Sequence, residues 1–296
     1  MKILIYNDTR PYHSGCEAVM DYITSKLISQ GHELRGGYLN YGNLLSKNSW
    51  EKDHAKGRRK VEEIDLDWRD LVLVNGEGSG TAPYNLNVLF RANSKGKGTY
   101  FVNTIIRKEK VTGAWRTLFP DLNEVSTRGI ISNKNAELSG AKDTRCFLDF
   151  SYFADIDENS LFYDFKGSDV LGCFYEEEER KSELEEAIGN IKRLTMIPRI
   201  CDWSYLVKSL RTAGIYITGR HHGMYASCKA RTPFVLYQRE GHKLQDLLCT
   251  AGVNIPIPEN KIQLLDAIKW AKENNDIYEK LFEWMEGQKK WPGILR

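Results

Sequence analysis

The sequence predicts an α/β protein of two Rossmann-like domains facing a central cleft, and three observations carry this. Short apolar runs alternate with helix-length amphipathic segments through both halves of the chain, the pattern of parallel sheets covered by helices. The 296 residues exceed the roughly 100–200 that one domain usually holds. Between the halves, Phe150 to Ser168 is aromatic and acidic without clear periodicity, which reads as a crossover. It divides the chain into domains 1–155 and 156–296.

In the first half, Met1 to Tyr6 is a short apolar strand, Asn7 to Gly15 a polar loop, and Cys16 to Gln30 a helix. Ala18, Met20, Ile23, Leu27 and Ile28 give that helix its apolar face. Gly31 ends it, and His32 to Leu39 is the second strand. Tyr41 to Asp67 is mostly polar and reads as one helix plus a loop. Asp70 to Asn75 is a strand that runs into Gly76-Glu77-Gly78-Ser79-Gly80, where alternating glycines let a ligand or another backbone approach closely. No Walker lysine follows, and Glu77 would repel phosphate, so it suits a hydroxyl partner or a base. Asn85 to Asn93 (helix), Thr99 to Ile106 (strand), Val111 to Leu118 (helix), Glu124 to Ile131 (containing a strand ending near Arg128) and Lys134 to Ser139 (helix) continue the alternation.

In the second half, Asp169 to Tyr175 is a strand, and Glu176 to Ile191 a helix whose glutamates crowd the positive end of its dipole. Lys192 to Ile197 is a strand, and Asp202 caps a helix through Ala213. Ile215 to Ile217 then leads through Thr218-Gly219-Arg220-His221-His222-Gly223 into a small-residue helix, Met224 to Lys229. A turn at the carboxyl end of a strand, opening a helix, presents backbone N–H groups to an anion. Arg220 adds a planar cationic fork and His222 a group that exchanges a proton near neutral pH. Packing glycines at a solvated corner are the bland alternative. Pro233 to Tyr237 is the next strand; it delivers Gln238 to Lys243, with His242 and Lys243 opening a helix to Ala251. Ile262 to Asn274 and Ile277 to Gly287 are closing helices, and Trp291-Pro292 is placed to pack back on the first domain. The expected cleft holds Asn7, Asn75, Gly76, Glu77, Ser79 and Arg128 on one wall and Arg220 to Gly223, His242 and Lys243 on the other.

A hydrophobic fraction of 41% suits a globular fold, and a net charge of +2 argues against a nucleic-acid partner. Six cysteines without a CxxC pair or metal-ligand spacing read as small buried apolar residues in a reducing compartment. Ile3 to Tyr6 is too short for a signal peptide, and no apolar run nears the roughly 18 residues of a membrane span. The expectation is a cytoplasmic protein. Lys56-Gly57-Arg58-Arg59-Lys60 would suit anionic head groups at the inner face of a membrane, or simply a solvated face.

Thr218-Gly219-Arg220-His221-His222-Gly223, followed by Pro233-Phe234-Val235 and His242-Lys243, resembles the carboxyl-terminal signature of the polysaccharide pyruvyltransferase family. Val74 to Ser79 and Val125 to Leu138, with Arg128, resemble its amino-terminal motifs. At position 221 that family more often carries an apolar or aromatic residue. The resemblance implies a GT-B-like fold, with the first domain on the acceptor side and the second on the donor side. It also implies transfer of a pyruvyl group from phosphoenolpyruvate onto paired sugar hydroxyls as a ketal, in cell-wall or capsule polysaccharide biosynthesis, with Arg220 and His222 contacting the donor.

Phosphoenolpyruvate needs at least two cationic anchors, for which Arg220, Arg128 and Lys243 are the candidates. His222 would protonate its methylene carbon, and Glu77 or His242 would take the proton of a free or lipid-linked saccharide hydroxyl. The scheme needs neither a metal nor a resident cofactor. A second reading is a metal-independent GT-B glycosyltransferase using a nucleotide sugar, with the diphosphate at the helix start by Gly223 and Arg220 or Lys243 neutralising the leaving group. A third is a catalytically silent sugar- or nucleotide-binding protein, since fold alone decides none of these.

Overall fold

The apolar runs of the first half become the strands of one parallel sheet. The computed structural model describes residues 1–10, 13–37, 63–77, 80–172, 192–193, 201–237 and 242–294. Outside these fall Gly78, Ser79, the basic run Lys56 to Lys60, the helix expected over Glu176 to Ile191, and Gln238 to Gly241. The chain forms two compact units. One is Met1–Pro11, Val19–Phe150 and Lys290–Arg296; the other is Tyr12–Ala18 and Ser151–Lys289.

In the first unit the elements are β1 (Lys2–Tyr6), α1 (Ser14–Ser29), β2 (Glu33–Gly37), α2 (Glu63–Trp68), β3 (Leu71–Asn75), α3 (Pro83–Ser94), β4 (Gly98–Thr104), α4 (Gly113–Leu118), β5 (Glu124–Thr127), α5 (Ile130–Leu138) and β6 (Thr144–Cys146). The first turn of α1 counts with the second unit. Among the described residues the sheet order is β2-β1-β3-β4-β5-β6, every pair parallel. Side chains alternate across it. Leu4, Tyr6, Val72 and Val74 join Phe101, Trp115 and Phe119 in one core. Ile3, Ile5, Leu71 and Leu73 join Val19, Met20, Ile23 and Leu27 in the other. Both faces are covered, so these strands read as unbroken apolar runs.

Two of these elements depart clearly from expectation. Strand β6 was not anticipated, because Thr-Arg-Cys on a half-buried edge carries no apolar pattern. Helix α5 starts at Ile130 rather than Lys134, since Gly129 is extended (φ −175°, ψ 166°) and caps it. The long segment of the first unit ends at Phe150, at the start of the expected crossover: Phe150 stacks on Trp291 at 5.2 Å in the first unit, and Ser151–Lys289 belong to the second. Trp291 is fully buried there and donates its indole N–H to Glu124 Oε1 at 3.0 Å, so the carboxyl-terminal segment closes the first unit's core.

The second unit holds β7 (Val170–Leu171), β8 (Lys192–Arg193), α6 (Trp203–Leu210), β9 (Tyr216–Thr218), α7 (His221–Ala230), β10 (Phe234–Leu236), α8 (Lys243–Ala251), α9 (Lys261–Glu273) and α10 (Asn275–Glu286). Its described strands are parallel in the order β10-β9-β7-β8. Asp202 caps α6 by accepting Tyr205 N–H at 2.6 Å, and Asn260 caps α9 by accepting Gln263 N–H at 3.0 Å. The aperiodic 151–168 segment is strapped along α6. Ser209 Oγ accepts Tyr163 N–H and Thr212 Oγ1 accepts Phe165 N–H, both at 2.9 Å, while Lys208 Nζ donates to the carbonyls of Glu158 and Ser160 at 2.5 Å. No helix among the described residues is long and apolar enough to cross a membrane. Of the cysteines described, Cys16, Cys201 and Cys228 are buried, Cys249 is exposed, and none forms a disulfide.

Candidate functional site

In each sheet the first strand has its second and third strands on opposite sides, so successive connections leave in opposite directions and the carboxyl ends open at that switch point. In the first unit the switch lies between β1 and β3, which deliver Asn7 and Asn75 to Glu77. Asn7 adopts the left-handed conformation (φ 64°), which asparagine tolerates better than most residues. Its Nδ2 donates to the carbonyls of Asn75 at 2.5 Å and Glu77 at 3.1 Å. The Glu77 amide donates back to Asn75 Oδ1 at 3.2 Å, and the Glu77 carboxylate accepts from Thr9 Oγ1 at 2.5 Å. A buried carboxylate oriented this way has the acceptor capacity of a base for a hydroxyl. Gly76 packs close against a neighbouring strand: a Cβ there would meet Thr104 Cβ at 2.3 Å.

Arg128, expected as a donor anchor, directly follows β5 and pairs through NH1 with Asp149 Oδ2 at 2.6 Å, both side chains buried. Its charge is compensated inside the first unit. The sequence did not flag Asp149, 21 residues on.

In the second unit the switch lies between β7 and β9, and β9 ends at Thr218. The helix that follows begins at His221, three residues before the Met224 expected, so Arg220 is its N-cap and both histidines lie in its first turn. Arg220 N–H donates to Thr218 Oγ1 at 3.1 Å. A Cβ on Gly223 would lie 2.5 Å from that same Oγ1, so only glycine lets the helix start so close to the strand end. No acidic residue occupies the first turn, and the helix dipole there favours an anion.

The two histidines have different neighbours, as expected for adjacent residues on a helix. His221 packs on Tyr225, four residues on, with ring centroids 4.9 Å apart. His222, 5% exposed, places Nδ1 3.3 Å from Nε2 of His13. His13 and Cys16, at the start of α1, were not singled out from the sequence as site residues. His13 Nε2 is also 3.3 Å from Cys16 Sγ, and Cys16 N–H donates to His13 Nδ1 at 3.3 Å. Gly15 permits the approach, since a Cβ there would fall 2.3 Å from His222 Cβ. The ligating atoms of His13, Cys16 and His222 lie within 4.8 Å of one another, although no chain spacing announces them. The available signal was a His-x-Gly-Cys run opening a helix behind the first strand.

His242 caps α8, with Nε2 4.0 Å from Asp246 Oδ2 one turn on, and Lys243 is the first helical residue, half-buried.

The chain is similar over nearly its whole length to solved nucleotide-sugar enzymes. The UDP-GlcNAc 2-epimerase of Methanocaldococcus jannaschii, in complex with UDP-GlcNAc and UDP, matches with a TM-score of 0.63 at 13% identity, covering 97% of this chain and 99% of its own. S. aureus MnaA with UDP gives 0.65 at 13% identity over 95% and 90%. The spinosyn rhamnosyltransferase SpnG, complexed with thymidine diphosphate, gives 0.50 at 12% identity over 97% of each chain. The fold is that of GT-B-type epimerases and glycosyltransferases. No protein-family model matches the sequence, and no curated protein matches it.

Proposed function

We propose that the protein is an enzyme that binds a nucleotide sugar at the β9–α7 turn and transfers its glycosyl unit to a saccharide hydroxyl. The observation that carries this reading is the helix start at Arg220 to Gly223. Its N–H groups are brought hard against the strand end by a glycine that nothing else replaces, and its N-cap residue is an arginine. Such a start suits a diphosphate, whose charge grows as the glycosyl bond breaks, and Arg220 would neutralise it. The similar structures named above include proteins solved with UDP and thymidine diphosphate, which supports a nucleotide donor. In the first unit Glu77, oriented by Thr9 and Asn75, is the proposed base for the acceptor hydroxyl.

Pyruvyl transfer is the second reading, and the signature Thr218 to Gly223 with its buried His222 favours it. Against it stands Arg128. With that guanidinium held by Asp149, phosphoenolpyruvate would depend on Arg220 and Lys243 for both of its anionic groups.

Thermal unfolding with UDP, thymidine diphosphate or phosphoenolpyruvate separates the readings. A ligand at 100 times its Kd adds about 2.7 kcal/mol. We expect a nucleotide diphosphate to raise Tm, and Arg220→Ala to abolish the rise. Stabilisation by phosphoenolpyruvate alone would overturn the proposal, as would nucleotide-sugar binding without turnover on any saccharide acceptor, the behaviour of a silent binder.

A further inference from the structure

We infer that His13 is a positioning residue that fixes the proton of His222 on Nε2, making His222 a neutral hydrogen-bond donor at that nitrogen. The argument starts from a donor that cannot titrate. The backbone N–H of Cys16 points at His13 Nδ1 at 3.3 Å, so that nitrogen must be the acceptor. A neutral imidazole carries its proton on the other nitrogen. His13 therefore presents Nε2–H, and His222 Nδ1 lies 3.3 Å away to receive it. With Nδ1 of His222 engaged as an acceptor, its own proton resides on Nε2. Fixing one ring nitrogen through a bond at the other is how proteins choose a histidine tautomer.

The packing supports a built arrangement. His13, Cys16 and His222 are 6%, 2% and 5% exposed. Gly15 is the residue that lets the first turn of α1 lie against His222, because any side chain there would overlap the His222 Cβ and Cγ. Cys16 Sγ, also 3.3 Å from His13 Nε2, is a weak second acceptor for the same proton. A cation held by these three side chains is the competing idea, since their ligating atoms cluster within 4.8 Å. It requires a bare Nε2 on His13, which moves the proton to Nδ1 and sets it against the Cys16 N–H. The hydrogen bonding therefore favours a proton in the cluster over a metal.

The consequence for the site rests on the proposed donor reading. A neutral His222 donating from Nε2 stabilises a leaving diphosphate without giving up its proton, alongside Arg220. The tautomer itself is testable without any ligand. Long-range ¹H–¹⁵N correlation spectra of the full chain, labelled at histidine and assigned through His13→Gln and His222→Gln, report which ring nitrogens are protonated. We expect His222 with Nε2 protonated and Nδ1 bare. His13→Gln, whose amide N–H₂ can still donate, should preserve that state and leave the Kd for UDP within about threefold, a change below the worth of one hydrogen bond. His13→Glu, an acceptor only, should put a proton on Nδ1 of His222 and so abolish the bare-Nδ1 signal in the same spectra. A His222 protonated on Nδ1 in the unaltered protein would overturn the inference. So would stoichiometric Co²⁺ binding with a cysteine-thiolate charge-transfer band. If the spectra show the expected tautomer and UDP fails to bind, the donor reading falls and the His13–His222 assignment stands.

Discussion

Replacing Gly223 by alanine tests how tightly the helix start is bound to its strand. The added Cβ would sit 2.5 Å from Thr218 Oγ1 and 3.1 Å from Thr218 Cβ and Cγ2. Thr218 cannot swing away: it is fully buried, β-branched and stiff at χ1, and its hydroxyl accepts the Arg220 amide. Helix and strand must separate, and overpacking of this kind costs about 1–3 kcal/mol. Thr218→Ala alone removes that hydrogen bond, worth about 0.5–1.5 kcal/mol, but it also removes the atom that clashes most. The double variant should therefore lose less than the sum of the two single losses, by about 1 kcal/mol or more. Urea unfolding of the four proteins at constant m gives the cycle. A Gly223→Ala protein with an unchanged midpoint, or a strictly additive pair, would refute the close approach and the donor geometry built on it.

Arg128→Ala leaves the buried Asp149 carboxyl without its guanidinium, so urea melts should show a loss of about 3–5 kcal/mol; a loss under about 1 would show that the pair is not buried as described. Burial raises the Glu124 carboxyl above the ordinary glutamate value of 4.5, against the opposing pull of the Trp291 indole and Arg145. With the folded pKa above the unfolded one, the associated stability is full below the unfolded value and is lost as pH rises through the folded one. Glu124→Gln keeps an acceptor for Trp291 and should flatten that decline as pH rises above 4.5; identical stability–pH slopes would contradict it. His222→Ala should lower kcat about 10²–10³-fold, the worth of one donor to developing charge, whereas His221→Phe, which retains the aromatic contact with Tyr225, should stay within about tenfold in steady-state assays. The reverse ranking would place His221 at the donor.

The fold was legible wherever burial is two-sided. Leu71 to Val74 and Tyr216 to Ile217 are unbroken apolar runs because helices cover both faces of parallel strands, and the alternation of such runs with amphipathic helices conveys the architecture. Edge strand β6 was not legible, because Thr144 and Arg145 are half-buried and polar. The start of α7 was misplaced by three residues, since Arg220 is not a capping side chain and the helix begins with support from Thr218 in the preceding strand. The Arg220 to Gly223 turn was visible because glycine and cationic residues mark a strand-to-helix corner. His13 was invisible as a partner of His222, because 209 residues separate them and only the folded chain brings them together. Arg128 read as a free anchor for a related reason: a lone arginine in a sequence does not announce the buried carboxylate it serves.

The most direct measurement of the central claim is product mass. Incubated with UDP- and TDP-sugars, phosphoenolpyruvate and a panel of free and lipid-linked oligosaccharides, the protein should add the mass of one glycosyl unit, with release of nucleoside diphosphate. That activity should be lost in Arg220→Ala. Addition of a pyruvyl ketal from phosphoenolpyruvate, with no glycosyl product from any nucleotide sugar, would contradict the account.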